Sequence, residues 1–186
     1  MDYVNKEKDI MRIGITGAQS VGKTTLLNAL RSEPRFDNYQ VCDEVTREIR
    51  EMGFDINQQG SDLTQILVMQ KHISNVFMYE NMLTDRTALD GLVYTTWMHQ
   101  HNKVTQSTLE KVYSIYEKLI PSYDYIFYIR PEFPIIDDGV RSIDPQFRDD
   151  INDIFEGFIN ELPREHITVS GSVRDRVSQV LKVVGK

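Results

Sequence analysis

Met11-Arg12-Ile13-Gly14-Ile15-Thr16 runs directly into Gly17-Ala18-Gln19-Ser20-Val21-Gly22-Lys23-Thr24, and the reading of the whole chain turns on this junction. The first six residues read as a short apolar strand ending at a glycine. The next eight match G-x-x-x-x-G-K-[ST] at every fixed position, and Leu26, Leu27 and Leu30 then form the apolar stripe of a helix. Two glycines let the backbone turn tightly, so that successive amide N–H groups point into one concavity. The helix adds its positive N-terminal end, which makes the junction a place for a polyphosphate. The expected contacts run from Gly17, Ala18, Gln19, Ser20, Val21 and Gly22 through Lys23, Thr24 and Thr25. Lys23 reaches the terminal phosphates as a point charge, and the Thr24 hydroxyl meets Mg²⁺. This motif predicts nucleoside triphosphate binding and leaves the fate of the γ-phosphate open.

Downstream, short apolar runs alternate with helical ones. Gln40-Val41-Cys42 reads as the end of a second strand, and residues 44–52 as a short helix stopped by Gly53. From Leu63 to Glu80 the apolar positions Leu63, Ile66, Leu67, Ile73 and Phe77 fall at helical spacing. Asn81 to Thr84 reads as a third strand, followed by Asp85-Arg86 and a helix whose Tyr94, Trp97 and Met98 are core candidates. Ser107 with Glu110 reads as a capping box opening a helix through Leu119. Tyr125 to Ile129 is the clearest strand, a continuous β-prone run suited to a sheet interior. Asp144-Pro145 reads as a cap with proline at the first helical position. Phe147, Ile151, Ile154, Phe155, Phe158 and Leu162 then keep helical register. Ile167 to Ser170 is a last strand, and Ser172 with Asp175 caps a final helix. Strands separated by helices imply parallel pairing with right-handed crossovers. The expected fold is a three-layer α/β sandwich with a parallel sheet of about five strands and a short lid near residues 131–148.

Composition bounds the alternatives. The chain has 186 residues, which predicts a single domain over 1–186, and 21 basic against 28 acidic residues give a net charge of −7. With 40% apolar and 26% charged residues it can bury a core, so bulk disorder is excluded. The acidic balance opposes diffuse attraction to nucleic acid or to an anionic membrane. Cys42 is the only cysteine, and residues 1–9 form a charged stretch with no apolar run behind it. A cytoplasmic location is therefore expected, with no secretory signal and no membrane partner. His72, His99, His101 and His166 share no ligand spacing with acids or with Cys42, so no zinc site is expected.

Two families use such a loop differently. A GTPase would add an Asp-x-x-Gly switch and an Asn-Lys-x-Asp motif. Asp85 and Asp90 lack the glycine, and Asn102-Lys103 continues as Val104-Thr105. What fits is a resemblance to small P-loop kinases of the nucleoside- and ribosylnicotinamide-kinase-like group, a group also labelled AAA-domain NTPases. It covers most of the chain. Cys42-Asp43-Glu44-Val45-Thr46-Arg47 resembles the place where those kinases set an acidic residue beside the acceptor hydroxyl. An acidic residue three before an arginine also resembles the acceptor site of polynucleotide 5′-kinases. The resemblance implies Glu44 as general base, Asp43 as the alternative, and Arg47 as a clamp on substrate or phosphate. Asp43 is equally a candidate cap for the helix that follows.

Thr84-Asp85-Arg86-Thr87 resembles the Asp/Glu-Arg-Ser/Thr segment of nucleoside kinases. It implies Asp85 at the Mg²⁺ shell and Arg86 on phosphate or acceptor. Its bland counterpart is an exposed Asp–Arg pair, and Asp90 is a candidate cap of the next helix. In the lid, Arg141, with Arg148 beside it, is placed to stabilise the transferring phosphoryl group, whereas Arg130 is as well explained structurally. Gly171 and Ser172 fall where such kinases cradle adenine. Taken together, the resemblance implies Mg²⁺-ATP-dependent transfer of the γ-phosphate to a hydroxyl of a nucleoside- or nucleotide-like small molecule. Two alternatives stand beside it: a DNA or polynucleotide acceptor, disfavoured by the net charge, and a non-metabolic NTPase or regulatory switch.

Overall fold

The computed structural model describes residues 10–43, 45–135, 144–162 and 166–185. Five strands, β1 (Arg12–Thr16), β2 (Gln40–Cys42), β3 (Met82–Asp85), β4 (Tyr125–Tyr128) and β5 (His166–Thr168), form one sheet in the order β2-β3-β1-β4-β5. Every pairing is parallel. Seven α-helices lie among the described residues: α1 (Lys23–Arg31), α2 (Val45–Glu51), α3 (Asp62–Met78), α4 (Ala88–Gln100), α5 (Gln106–Leu119), α6 (Pro145–Ile159) and α7 (Val173–Val184). The three-layer α/β expectation holds.

The strand order explains where the site lies. From β1 the chain moves to one edge of the sheet, and all later crossovers progress toward the other. Right-handed crossovers then put α1 on one face and α3 to α6 on the opposite one. The packing agrees, since α1 meets α7 while α4 meets α3, α5 and α6. The change of direction opens a crevice at the carboxyl ends of β1 and β3, where open parallel sheets bind ligands. Ile15 lies opposite Asp85 in register, so the loop after β1 and the end of β3 become neighbours.

Core burial follows the strand and helix patterns. Ile13, Ile15, Leu83, Phe127 and Ile129 are buried in the sheet, and Leu26, Leu27 and Leu30 bury the stripe of α1. Each such side chain contributes about 1.5–3 kcal/mol by leaving water. Gly14 is required by close approach, because a Cβ there would stand 2.3 Å from Thr87 Cγ2.

Three local expectations need correction. Helix α5 starts two residues early, with Thr105 as its cap accepting from the Thr108 amide, so Ser107 does not cap it. Thr87 caps α4, and Asp90 is the third helical residue of that capping box rather than the cap. Helix α3 buries Thr64, Gln65, Val68, Met69, His72, Asn75 and Val76, whereas Leu63 and Phe77 are exposed, Phe77 by 80%. Ile66, Leu67 and Ile73 of the stripe read from the sequence are half-buried against apolar clusters, and its two ends, Leu63 and Phe77, are not. The inward face is polar in part because it lines a cavity. Asp144 caps α6 and Ser172 caps α7 as expected.

Candidate functional site

The loop between β1 and α1 turns through three residues of positive φ: Gly17 at 142°, Ser20 at 59° and Gly22 at 91°. Gly17 has a second constraint, since a Cβ would lie 2.4 Å from the Ile129 carbonyl oxygen. Lys23 begins α1 and is 1% exposed. Its Nζ donates to the carbonyls of Gly17 at 2.7 Å and Ala18 at 2.6 Å, so the ammonium lies along the loop. The Ser20 hydroxyl and the Gln19 amide nitrogen are buried without a hydrogen-bond partner among the described residues. Both are donors left over in the loop itself.

The end of β3 meets this loop. Thr24 Oγ1 donates to Asp85 Oδ2 at 2.5 Å, and Asp85 is fully buried. A carboxylate and a hydroxyl oxygen at that spacing make a hard-oxygen donor pair suited to Mg²⁺. Arg86 follows in a left-handed conformation, φ 83°, which costs a non-glycine residue about 1–2 kcal/mol. The surroundings hold it there: its amide donates to the Ile15 carbonyl at 2.9 Å, and its carbonyl accepts from Thr84 Oγ1 at 3.0 Å. The guanidinium is 3% exposed. It lies 3.6 Å from Asp90 Oδ1 and 5.0 Å above the Tyr94 ring. An exposed Asp–Arg surface pair is therefore not what Asp85 and Arg86 make. Asp90 also accepts from Thr16 Oγ1 at 2.6 Å and from the Thr87 amide at 2.8 Å.

Two cavities flank these groups. One, of about 400 Å³, is lined by Ser20, Gly22, Thr25, Phe133, Gly171, Ser172 and neighbours. Gly171 and Ser172 thus line one cavity with residues of the loop. The other is narrow, about 20 Å³, and lies where Thr46 and Asn57 meet Gln65 and His72 of α3 and Arg86, Asp90 and Tyr94. Tyr94 joins the two regions, since its hydroxyl donates to Gln19 Oε1 at 2.9 Å. Trp97 is core as expected, stacked on His101 and donating to Asp150 Oδ2.

Asp43 is exposed just after β2, and Arg47 is half-buried on α2. Glu44 and Arg141 lie outside the described residues, as does 136–143 of the expected lid. At the lid's described ends, Arg148 donates to the Phe133 carbonyl at 2.8 Å, which assigns it a packing contact. Arg130 forms a two-pronged pair with Glu156 at 2.7 and 3.0 Å.

Comparison with known proteins follows this geometry. A family model described as an AAA domain matches residues 12–176. The chain belongs to that AAA-domain family. No curated protein matches the sequence. Among solved structures, the NadR protein in complex with NR is similar to this AAA-domain chain with a TM-score of 0.74 at 17% identity. That alignment covers 95% of this chain and 52% of NadR, so the chain spans about half of NadR's length. Deoxyadenosine kinase from M. mycoides, solved with dCMP and dCDP, gives 0.72 at 18% identity and covers 94% of this chain and 98% of the kinase. NadR in complex with NAD and AMP-PNP gives 0.71 at 16%, covering 95% and 50%. The AAA-domain chain therefore has the fold of these nucleotide-binding proteins, and the resemblance to P-loop nucleoside kinases stands at that level. No described helix is long and apolar enough to cross a membrane.

Several residues at the site of this AAA-domain protein were not legible in the motifs. Arg176, 3% exposed on α7, donates to the Val21 carbonyl at 2.8 Å and to Glu132 Oε1 at 3.0 Å. Glu132 Oε2 in turn accepts from the Gly171 amide at 2.9 Å. The phosphate loop, the root of the lid and the turn before α7 are thereby tied together. Gln65 and His72 were also missed. They share a face of α3 at i and i+7, a signal that an amphipathic reading passes over because both are polar.

Proposed function

We propose that this protein is a Mg²⁺-ATP-dependent phosphotransferase that moves the γ-phosphate to a hydroxyl of a nucleoside-like small molecule. One observation carries the reading: the Thr24–Asp85 pair and the buried Arg86 lie by a wide cavity beside the phosphate loop and a narrow one lined by Arg86 itself. A hydrolytic switch has no use for the second cavity, and the net charge of −7 opposes a polymer acceptor.

In this reading the loop amides of residues 17–22, with the Ser20 hydroxyl and Lys23, hold the phosphates. Gly171 and Ser172 contribute to the wide cavity that takes the nucleoside end of ATP. Thr24 and Asp85 fit Mg²⁺, which when bound neutralises phosphate charge. Arg86 reaches the acceptor side of the transferring group, held in place by Asp90 and the Tyr94 ring. Glu44, two residues before the cavity-lining Thr46, serves as base toward the acceptor hydroxyl, with Asp43 as alternative, and Arg47 steadies the substrate. Arg141 approaches the phosphoryl group from the lid. Catalysis by such a set is mostly positioning and electrostatic stabilisation.

The test is [γ-³²P]ATP with Mg²⁺ and a panel of ribo- and deoxyribonucleosides, ribosylnicotinamide, nucleotides and 5′-hydroxyl DNA. Labelled nucleoside monophosphate is the expected product. Release of inorganic phosphate alone, unaffected by any acceptor, would favour the switch alternative and end the kinase reading.

A further inference from the structure

The narrow cavity contains a polar group for which the phosphotransfer steps have no use. His72 on α3 is 1% exposed and lines that cavity, and neither ring nitrogen has a hydrogen-bond partner among the described residues. Leaving a buried polar group unsatisfied costs about 1–3 kcal/mol, so native proteins rarely keep one without a role. Burial, and secondarily the Arg86 charge, push the His72 pKa down to about 3, which leaves a neutral ring. A neutral imidazole presents one N–H donor and one lone-pair acceptor.

The neighbours narrow what that ring can read. Arg86 is already balanced by Asp90 and covered by Tyr94. Gln65, two turns away at i−7 on the same face of α3, accepts from Thr95 Oγ1 at 3.0 Å, and its amide nitrogen rests on Met98 Sδ, a weak acceptor. Ile56, Val68, Gly91 and the Tyr94 ring supply the apolar walls. Such a wall takes a flat, uncharged group with donors and acceptors on its edge, and it gives no added countercharge to an ionic one.

We propose that His72 is a specificity-determining residue, which reads the hydrogen-bonding edge of a neutral nucleobase on the acceptor. This deepens the kinase reading and rests on it. At about 20 Å³ the cavity holds about one water, so the base enters only as a wall moves. The wall able to move is the segment carrying Thr46, Ile56 and Asn57. Its Val45, Ile49, Phe54 and Ile56 pack on Leu67 and Val68 of α3 in a small apolar cluster separate from the main core. His72 lies on the opposite wall, on α3, which also packs against α4 and α5.

The experiment measures steady-state kinetics of the full chain, wild type against His72→Phe and His72→Gln, over the nucleoside panel, with thermal melts to establish folding. His72→Phe keeps a ring of similar size and removes both nitrogens. The expected result is a rise in acceptor KM of about tenfold, the size of a single lost hydrogen bond of average strength, with the KM for ATP unchanged. His72→Gln, which retains one donor and one acceptor, should recover part of the loss or reorder the preferred bases. Acceptor KM and base ranking equal to wild type in whichever variant folds would overturn the inference, and would leave His72 as a residue satisfied by one buried water. If the wild type phosphorylates no nucleoside, the kinase reading fails by itself, and calorimetric titration with the same nucleosides decides for His72. A tenfold weaker nucleoside affinity in His72→Phe supports it, whereas equal affinity, or no binding to the wild type, overturns it.

Discussion

Around the phosphate loop, the ligand-facing groups are set by backbone shape. Positive φ at Gly17, Ser20 and Gly22 turns the chain, and Lys23 lies along the loop carbonyls. Around the cavity lined by Arg86, they are side chains contributed by α2 and the segment after it, by α3, by the turn after β3 and by α4. The first region can hold any polyphosphate, because main-chain amides are the same whatever the sequence. In the proposed reading the second selects, because each wall residue is a separate choice. The two are joined by few contacts, chiefly Thr24 with Asp85, Tyr94 with Gln19, and the Arg86 amide with Ile15.

If that contrast is right, damage to the loop should abolish turnover for every acceptor alike. Lys23→Met removes the ammonium and keeps most of the stem. Turnover should fall ~10³-fold, about 4 kcal/mol of barrier, with the acceptor ranking unchanged in what remains. A radiolabel assay across the nucleoside panel checks both parts. A loss confined to some acceptors would place Lys23 in the selective region.

Backbone dependence predicts a second, structural asymmetry. Gly17→Ala must force a Cβ against the Ile129 carbonyl at a φ of 142°, whereas Gly53→Ala at 90° meets nothing within 4 Å. Urea unfolding should show a loss of about 3 kcal/mol for the first and about 1 kcal/mol for the second. Equal losses would mean that φ alone, and not the close approach to β4, constrains the loop.

The same contrast explains what could be read from the sequence. Residues 11–24 were legible because a left-handed backbone and a close approach demand glycine, and glycine at fixed spacing is a residue-type signature. Sheet and helix order followed, since crossovers obey handedness. Helix α3 was misread for the opposite reason. Its inward face carries Gln65 and His72 because it borders a cavity, and Leu63 and Phe77 point outward, so hydrophobic periodicity finds only the part of the buried face made by Ile66, Leu67 and Ile73. Asp90 reads in the sequence as a cap candidate because Asp is a strong one, but Thr87 occupies that place and frees Asp90 to hold Arg86 and Thr16. Arg176 gave no signal at all: its importance comes from Val21 and Glu132, which are distant in sequence.

His72 offers a test of the selective region that needs no substrate. Its pKa is lowered by burial from 6.5 to about 3, so between those values the unfolded chain binds a proton that the native chain does not. Stability from this group is therefore complete above pH 6.5 and is lost as pH falls toward 3. Linkage sets the loss between pH 7 and pH 5 at about 2 kcal/mol. Urea midpoints at the two pH values should separate further in the wild type than in His72→Phe. The same separation in both would mean that His72 is protonated in the native cavity.

The smallest effect should come from Arg130, and it sharpens the comparison by contrast with Arg86. Both arginines follow a strand and both meet a carboxylate. Arg86 is buried in a left-handed conformation over Tyr94, whereas the Arg130 side chain is 56% exposed and pairs with Glu156 beside Tyr128. An exposed ion pair contributes about 0–1 kcal/mol even when two-pronged, because water screens it and ordering two long side chains opposes it. Arg130→Gln should thus lower the unfolding free energy from urea titration by less than about 1 kcal/mol, with the larger loss at low salt, and leave phosphotransfer rates at the wild-type level. A fall in turnover with stability intact would move Arg130 to the phosphoryl side of the site, and the functional arginines would then lie at two strand ends rather than one.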